Sequence, residues 1–339
     1  MKRIPTQEAV GHVLCHDMTQ IIPGQYKDAR FRKGHVVREE DVPVLLSMGK
    51  EHLYVWEMVP GMLHENDAAE RLCALCRNEG MDRSAVKEGK IELTAAADGL
   101  FRVDSARLNA VNAQEDVMIA TRHGGTAVRR GDKLAGMRVI PLVIEEEKLR
   151  RAEEAAGKQP LLELLPWKLK TAAIVTTGSE VAKGLIQDSF TPVVERKLAE
   201  FGIRTVERRT PGDGIEAVKS AILEVKAARP DLILCTGGMS VDPDDNTPGA
   251  VKRSGARIVT YGAPVLPGAM FLLGYFEDGT PILGLPGCVM YAKRTIFDLV
   301  LPKAAAGVPI TRADIAVLGE GGLCLGCQVC TYPNCGFGK

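Results

Sequence analysis

Asp231-Leu-Ile-Leu-Cys-Thr-Gly-Gly-Met-Ser-Val-Asp-Pro-Asp-Asp-Asn-Thr-Pro248 decides how the rest of the chain is read. Leu232 to Cys235 is a short uninterrupted apolar run, the pattern of a strand buried on both faces. It ends in Thr236-Gly237-Gly238 and spills into a loop with three aspartates, after which a helix is expected near Thr247-Pro248. Two adjacent glycines at a strand's carboxyl end permit positive φ and a close approach of backbone to ligand. Their N–H groups can cradle an anion, while Asp242, Asp244 and Asp245 offer hard oxygen ligands for magnesium. Phosphate plus magnesium is the simplest ligand for such a loop. Solvated loop charge for Asp242 and Asp244, and a helix cap for Asp245, are the competing readings.

Strands and helices alternate on both sides of this stretch, from Lys170 to about Gly307. Thr171 to Thr176 reads as an apolar strand followed by Thr177-Gly178-Ser179-Glu180. Pro192 to Phe201 reads as a helix with Val194, Leu198 and Phe201 on one face and Gly202 as its stop. Asp213 and Glu216 form a capping-box pattern for a helix burying Ile215, Val218, Ile222 and Val225. Ile203 to Glu207, Ile258 to Tyr261, Met270 to Phe276 and Pro281 to Leu285 are further strands. Pro286-Gly287 then opens a last helix running to about Ala306. Such alternation predicts an α/β fold, a mostly parallel sheet with helices on both faces. Ligands in these sheets sit at the carboxyl ends of the strands, beside a topological switch point. Three loops are therefore expected at one edge: Thr177–Glu180, Thr236-Gly237-Gly238-Met239-Ser240, and Leu285-Pro286-Gly287-Cys288. The last-named loop would add a helix N-terminus to the anion site.

Thr177-Gly-Ser-Glu-Val181, Gly237-Gly-Met-Ser-Val241 and Gly284-Leu-Pro-Gly287 together resemble the molybdopterin-binding domain of molybdenum-cofactor biosynthesis proteins. Their order and spacing suit both the molybdopterin molybdotransferases and the shorter adenylyltransferases, and the likeness covers about residues 170 to 305. Val10-Gly-His-Val-Leu14 and Lys33-Gly-His-Val-Val37 look like a transferase-type lead-in. The resemblance implies that Gly237, Gly238 and Ser240 bind the pterin's phosphate, or its pyrophosphate once adenylylated, and that Thr177 and Glu180 line the same pocket. It implies an Asp245 tied to magnesium and reactivity, which chemistry supports: magnesium neutralises charge developing as a phosphoanhydride is cleaved. Gly178, Ser179, Thr236, Met239, Pro286 and Gly287 complete the expected pterin-binding set, and Asp242 joins Asp245 as a magnesium ligand. The chain departs from the family in three places. Ser179 stands where an acidic residue is usual, Asp242 to Pro248 looks more like the adenylyltransferase loop, and no Asn-Ser-Ala-Met-Asp-Gly-Tyr-type segment is found.

Residues 1–60 read as a lead-in, with a strand at Val10–Leu14, a short helix at Glu40–Met48 closed by Gly49, and a strand at Leu53–Trp56. Residues 61–158 read as a helix and a small β-rich domain. The helix is capped by Asn66 or Asp67, carries Ala69, Leu72, Leu75 and Cys76 at helical spacing, and stops at Gly80. Short runs broken by Asp98-Gly99, Gly124-Gly125 and Gly131-Asp132 follow from Ile91 to Ile144. Glu145 to Gly157 reads as a solvated linking helix. The α/β domain takes 168–308 and a cysteine-rich tail 319–339.

That tail carries Cys324-x2-Cys327-x2-Cys330-x4-Cys335. Four soft thiolates at such spacing suit tetrahedral zinc or an iron–sulfur cluster. The run resembles that of bacterial ferredoxins, with a last gap of four rather than three and no proline after Cys335. Cys73 and Cys76, on one helix, read as core packing. Nine cysteines so distributed fit reduced thiols better than a disulfide framework.

Lys plus Arg and Asp plus Glu number 43 each, a balance that gives no support to nucleic-acid or acidic-membrane partners. No apolar stretch approaches the ~18 residues of a spanning helix, and the polar start at Met1-Lys-Arg-Ile-Pro is unlike a secretory signal. A cytoplasmic protein is expected. The expected role is molybdopterin or adenylylated-molybdopterin binding with magnesium, as a molybdotransferase in cofactor assembly. A non-catalytic pterin carrier or sensor, an adenylyltransferase, and a relative hydrolysing a nucleotide-type pyrophosphate are the other candidates. Self-association and a recipient molybdoenzyme are partners that the resemblance admits.

Overall fold

The structure, a computed structural model, describes residues 2–22, 26–55, 60–178, 187–212, 214–240 and 245–339. The chain divides into two compact units. The first comprises Met1–Ala95, Val103–Arg122 and Gly131–Glu163, and the second Ala96–Arg102, His123–Arg130 and Leu164–Lys339.

In the first unit a four-stranded antiparallel sheet is formed by Met81–Arg83, Ile91–Ala95, Lys133–Val139 and Val117–Thr121. The helix Glu65–Cys76 buries Ala68, Ala69, Leu72, Cys73 and Cys76, so its two cysteines are core groups. Burial pushes the Cys76 thiol up to about 12. The cap of this helix is not Asn66 or Asp67. His64 takes that position, and its Nδ1 accepts from the Asn66 N–H because the imidazole reaches the first turn from extended backbone. The stop is Cys76, ahead of Gly80, since Arg77 is already extended. The expected strand at Val10–Leu14 forms only isolated bridges, Val13 with Val36 and Leu14 with Val55. Strand His52–Val55 pairs instead with Lys2–Pro5. Glu146–Ala156 is helical with a wet face of Arg150 between Glu147 and Glu154, and it also buries Leu149, Ala152 and Ala156.

The second unit is built on a six-stranded sheet whose strands are β1 (Thr171–Thr176), β2 (Arg204–Arg209), β3 (Leu232–Thr236), β4 (Arg257–Tyr261), β5 (Leu272–Tyr275) and β6 (Pro281–Leu285). Their order is β2-β1-β3-β6-β5-β4, with β2, β1, β3 and β6 mutually parallel and β5 reversed. Helices are α1 (Phe190–Ala199), α2 (Ile215–Ala227), α3 (Thr247–Arg253), α4 (Ile296–Ala305) and α5 (Arg312–Ala316).

Strand periodicity sorts the apolar residues to two faces. Ile174, Leu232, Leu234, Leu283 and Leu285 pack with Val194 and Leu198 of α1 and Phe297 and Val300 of α4. Ala173, Val175, Ile233, Cys235 and Ile282 pack with Val218, Ile222 and Val225 of α2 and Val251 of α3. Near-continuous apolar strands follow from this double covering, and the expected mostly parallel sheet with helices on both faces is what the chain forms. The proposed cap at Asp213 lies outside the described residues. Gly214 precedes α2 without a side-chain capping bond.

Candidate functional site

The chain leaves β1 for β2 on one side and returns to β3 on the other, so the order reverses between β1 and β3. Register makes the ends level there. Thr176 pairs with Thr236, and Thr236 with Leu285, so β1, β3 and β6 finish in one row. Thr177-Gly178, Gly237–Ser240 and Pro286-Gly287 thus leave three adjacent parallel strands side by side. Ser179, Glu180 and Asp242 lie outside the described residues.

The first two loops interlock. The Thr177 N–H donates to the Thr236 carbonyl at 2.7 Å, and its hydroxyl reaches the same oxygen at 3.2 Å. Gly237 has φ +82°, and a Cβ there would lie 2.3 Å from the Thr177 carbonyl oxygen. Gly238 has φ +54°, with the Thr247 hydroxyl 2.9 Å from where its Cβ would be. Glycine is required at 237 by both conformation and proximity.

Five successive carbonyls of this turn are held by protein donors. Thr236 O is bound by Thr177, Gly237 O by the Thr247 hydroxyl at 2.9 Å, and Gly238 O by the Thr247 N–H at 3.2 Å. Met239 O and Ser240 O accept from the Tyr261 hydroxyl at 2.9 and 3.2 Å. Donors from Thr177, Thr247 and Tyr261 thus fix the backbone of the turn. Thr236 itself is fully buried, and its hydroxyl has no hydrogen-bond partner.

Met239 anchors the loop from beneath. Its side chain is buried against Gly284 of β6, where a Cβ would come within 2.6 Å of its sulfur. The rim therefore receives backbone from Met239, while Ser240 is exposed. Asp245 is half-buried and adjoins Tyr261, whose hydroxyl is raised above its ordinary value by burial and then by the Asp245 charge. Asp245 does not cap α3; Asn246 occupies that position, with no side-chain capping bond.

Pro286-Gly287 does not open a long helix. Gly287–Met290 is a single 3-10 turn, and α4 starts only at Ile296, capped reciprocally by Thr295 and Asp298. The expected helix-dipole contribution at this loop is therefore absent. Asp298 explains the shift: it accepts from Lys197 at 2.6 Å, Arg294 at 2.8 Å and the Thr295 N–H at 2.8 Å, which pins the helix start there. The Thr295-x-x-Asp298 spacing is a capping-box signal visible in sequence. Thr247 and Tyr261, which hold the glycine turn, carry no comparable local signal.

The four tail cysteines all line one cavity of about 480 Å³. Among the described residues, however, no group of three or more His, Cys, Asp or Glu side chains is placed to hold a metal ion. The expected zinc or iron–sulfur site at these cysteines has no support in this arrangement.

No helix is long and apolar enough to cross a membrane among the described residues. Comparison with known proteins matches residues 173–306 to the family described as a probable molybdopterin binding domain, and residues 3–57 to a domain of unknown function, DUF8806. A CinA-like protein of Pseudothermotoga lettingae is 33% identical over 86 residues, 25% of this chain and 21% of that protein. A molybdopterin molybdenumtransferase of Staphylococcus epidermidis is 24% identical over 89% of this chain and 72% of its own length. Among solved structures, the molybdopterin biosynthesis enzyme MoaB of Thermus thermophilus is 24% identical, covering 42% of this chain and 99% of its own, at a TM-score of 0.36. Against the CinA-like relative the chain spans about a fifth of the curated length. The α/β domain that bears the glycine turn is thus the part of the chain that matches the family described as a probable molybdopterin binding domain.

Proposed function

We propose that the turn Thr236–Ser240 binds the phosphate of molybdopterin, or the pyrophosphate of its adenylylated form, and that the protein acts as a molybdopterin molybdotransferase. The observation that supports this reading is the Gly237-Gly238 turn at the level carboxyl ends of three adjacent parallel strands, its carbonyls held by Thr177, Thr247 and Tyr261. Thr177 and Gly178 border the same edge, and Pro286-Gly287 borders it from β6. Magnesium takes one or two carboxylates and completes its shell with phosphate oxygens and water. A single half-buried Asp245 beside the turn fits that demand, with Asp242 as its proposed companion. Bound there, magnesium would supply charge neutralisation at the phosphoanhydride. Asp245 holds the cation, the turn holds and orients the phosphate, and Tyr261 keeps the loop's last carbonyls in place.

Incubation with adenylylated molybdopterin, magnesium and molybdate, following AMP release and active-cofactor formation, tests the reading. Asp245→Asn should abolish turnover and leave binding largely intact. Tight binding with no AMP release would overturn the transferase and leave a carrier or sensor. That second reading has one observation in its favour: residues 61–158 contain no Asn-Ser-Ala-Met-Asp-Gly-Tyr-type segment.

A further inference from the structure

Four of the chain's nine cysteines stand in its tail, and the fold sorts them into two pairs. All four are free thiols that line one cavity of about 480 Å³. Cys324 and Cys335 are half-buried and pack against the core that holds α4 and Phe337. Each lies beside an anchor of the tail. The Cys324 N–H donates to Leu266 O at 2.8 Å, and the Tyr332 hydroxyl, three residues before Cys335, donates to the Asp298 carbonyl at 2.9 Å. Cys327 and Cys330, between those anchors, are exposed.

The exposed pair sits on a shaped loop. A fully extended Cys-x-x-Cys segment would set its two Cα atoms about 10 Å apart, beyond the span of roughly 4.4–6.8 Å that a disulfide bridges. Here the chain bends at Gln328 and again at Val329, which shortens that span. Lys293 holds the bend from below, its ammonium donating to Gln328 O at 2.8 Å and to Cys327 O at 3.5 Å. Arg294 comes next in the same wall. Its guanidinium stacks 4.9 Å from the Tyr332 ring centre, donates to Asp298 at 2.8 Å and also donates to the Cys330 sulfur. Thiol–disulfide exchange runs through a thiolate, which an adjacent cation stabilises. The guanidinium therefore marks Cys330 as the attacking sulfur and leaves Cys327 to resolve. Leu323, Leu325 and Phe337 give the cavity an apolar side that can receive the organic part of a small disulfide.

We propose that Cys327 and Cys330 form a redox-active dithiol that reduces small organic disulfides at this cavity. The Cys330 thiolate attacks one sulfur of the disulfide R–S–S–R, that bond breaks, and RS⁻ leaves and takes up a proton. The Cys327 thiol then gives its proton to solvent and attacks the Cys330 sulfur, expelling the second RS⁻, which is protonated in turn. Two protein thiols are oxidised to one disulfide and R–S–S–R is reduced to two thiols, so atoms and electrons balance. The site is independent of the pterin reading, and its test involves no pterin.

The experiment mixes the reduced, desalted full chain with less than one equivalent of dithiobis(nitrobenzoate) and follows release of the coloured thiol. A resolving pair releases about two coloured thiols per reagent consumed and keeps none on the protein. The tryptic peptide Ala313–Lys339 carries all four tail cysteines with no Lys or Arg between its ends, and its fragmentation should place the new bond between Cys327 and Cys330. Cys327→Ser should release about one coloured thiol and retain the other half of the reagent on Cys330. Cys330→Ser should slow the first release several-fold. Both positions are exposed, so neither variant should change the melting temperature of the reduced chain, which separates lost chemistry from misfolding. Release of about one thiol from the parent, a bond to Cys324 or Cys335, two thiols still released by Cys327→Ser, undiminished speed in Cys330→Ser, or a lowered melting temperature in either variant would each overturn the assignment.

Discussion

Replacing Gly237 by alanine tests the glycine turn most directly, because the structure supplies both parts of the cost. Its φ of +82° is a conformation that costs an L-residue about 1–2 kcal/mol. The new Cβ would also stand 2.3 Å from the Thr177 carbonyl oxygen and 3.1 Å from its carbonyl carbon, so backbone must move. Overpacking of that kind costs about 1–3 kcal/mol, giving about 2–5 kcal/mol in all. Gly255 provides the control: φ +91° and nothing within 4 Å, so Gly255→Ala should cost only the conformational part, about 1–2 kcal/mol. Urea denaturation of both variants measures these losses, and titration with molybdopterin measures the site. Displacing Thr177 from Thr236 disrupts the interlock of the two loops, so Gly237→Ala should weaken binding at least about tenfold, or 1.4 kcal/mol, and Gly255→Ala should not change it. Equal stabilities for the two variants, or an unchanged molybdopterin affinity for Gly237→Ala, would refute the claim that close backbone approach shapes the site.

Tyr261→Phe removes the donor to Met239 O and Ser240 O; about 1 kcal/mol of stability and a several-fold loss of molybdopterin affinity are expected, and an unaltered titration would argue against its positioning role. Asp298→Ala strips the α4 cap and leaves Lys197, itself buried, without its carboxylate; a loss of about 3–5 kcal/mol in urea denaturation is expected. Cys235 sits fully buried in β3, where burial pushes its thiol up to about 12 from 9.0. A raised folded value favours the neutral thiol, so this contribution to stability is intact below pH 9 and is lost as pH climbs from there toward 12. The urea midpoint should therefore fall less steeply over that window in Cys235→Ala than in the parent; parallel slopes would contradict the burial argument.

Much of the α/β domain was legible because local chemistry and global fold agree in it. Strand runs such as Leu232–Cys235 are apolar on both faces only when helices cover both sides, and α1 and α2 carry their apolar residues at helical spacing. Helix starts were misplaced where a neighbouring residue took the cap, His64 just ahead of Asn66 in the first unit and Thr295 with Asp298 at α4. Asp298 draws Lys197 from α1 across about a hundred residues of sequence, a pairing no local window contains.

By itself the sequence determined the class of the fold, the three glycine-bearing loops and the four-thiol tail, because each is written in spacing and residue type within a short window. Tertiary structure alone decided that Thr176, Thr236 and Leu285 end in one row, that Thr247 and Tyr261 hold the carbonyls of the turn, and that the four tail cysteines line one cavity. The reason is physical. Register, carbonyl satisfaction and cavity shape arise from segments far apart in the chain, and only burial of both sheet faces brings those segments to fixed distances.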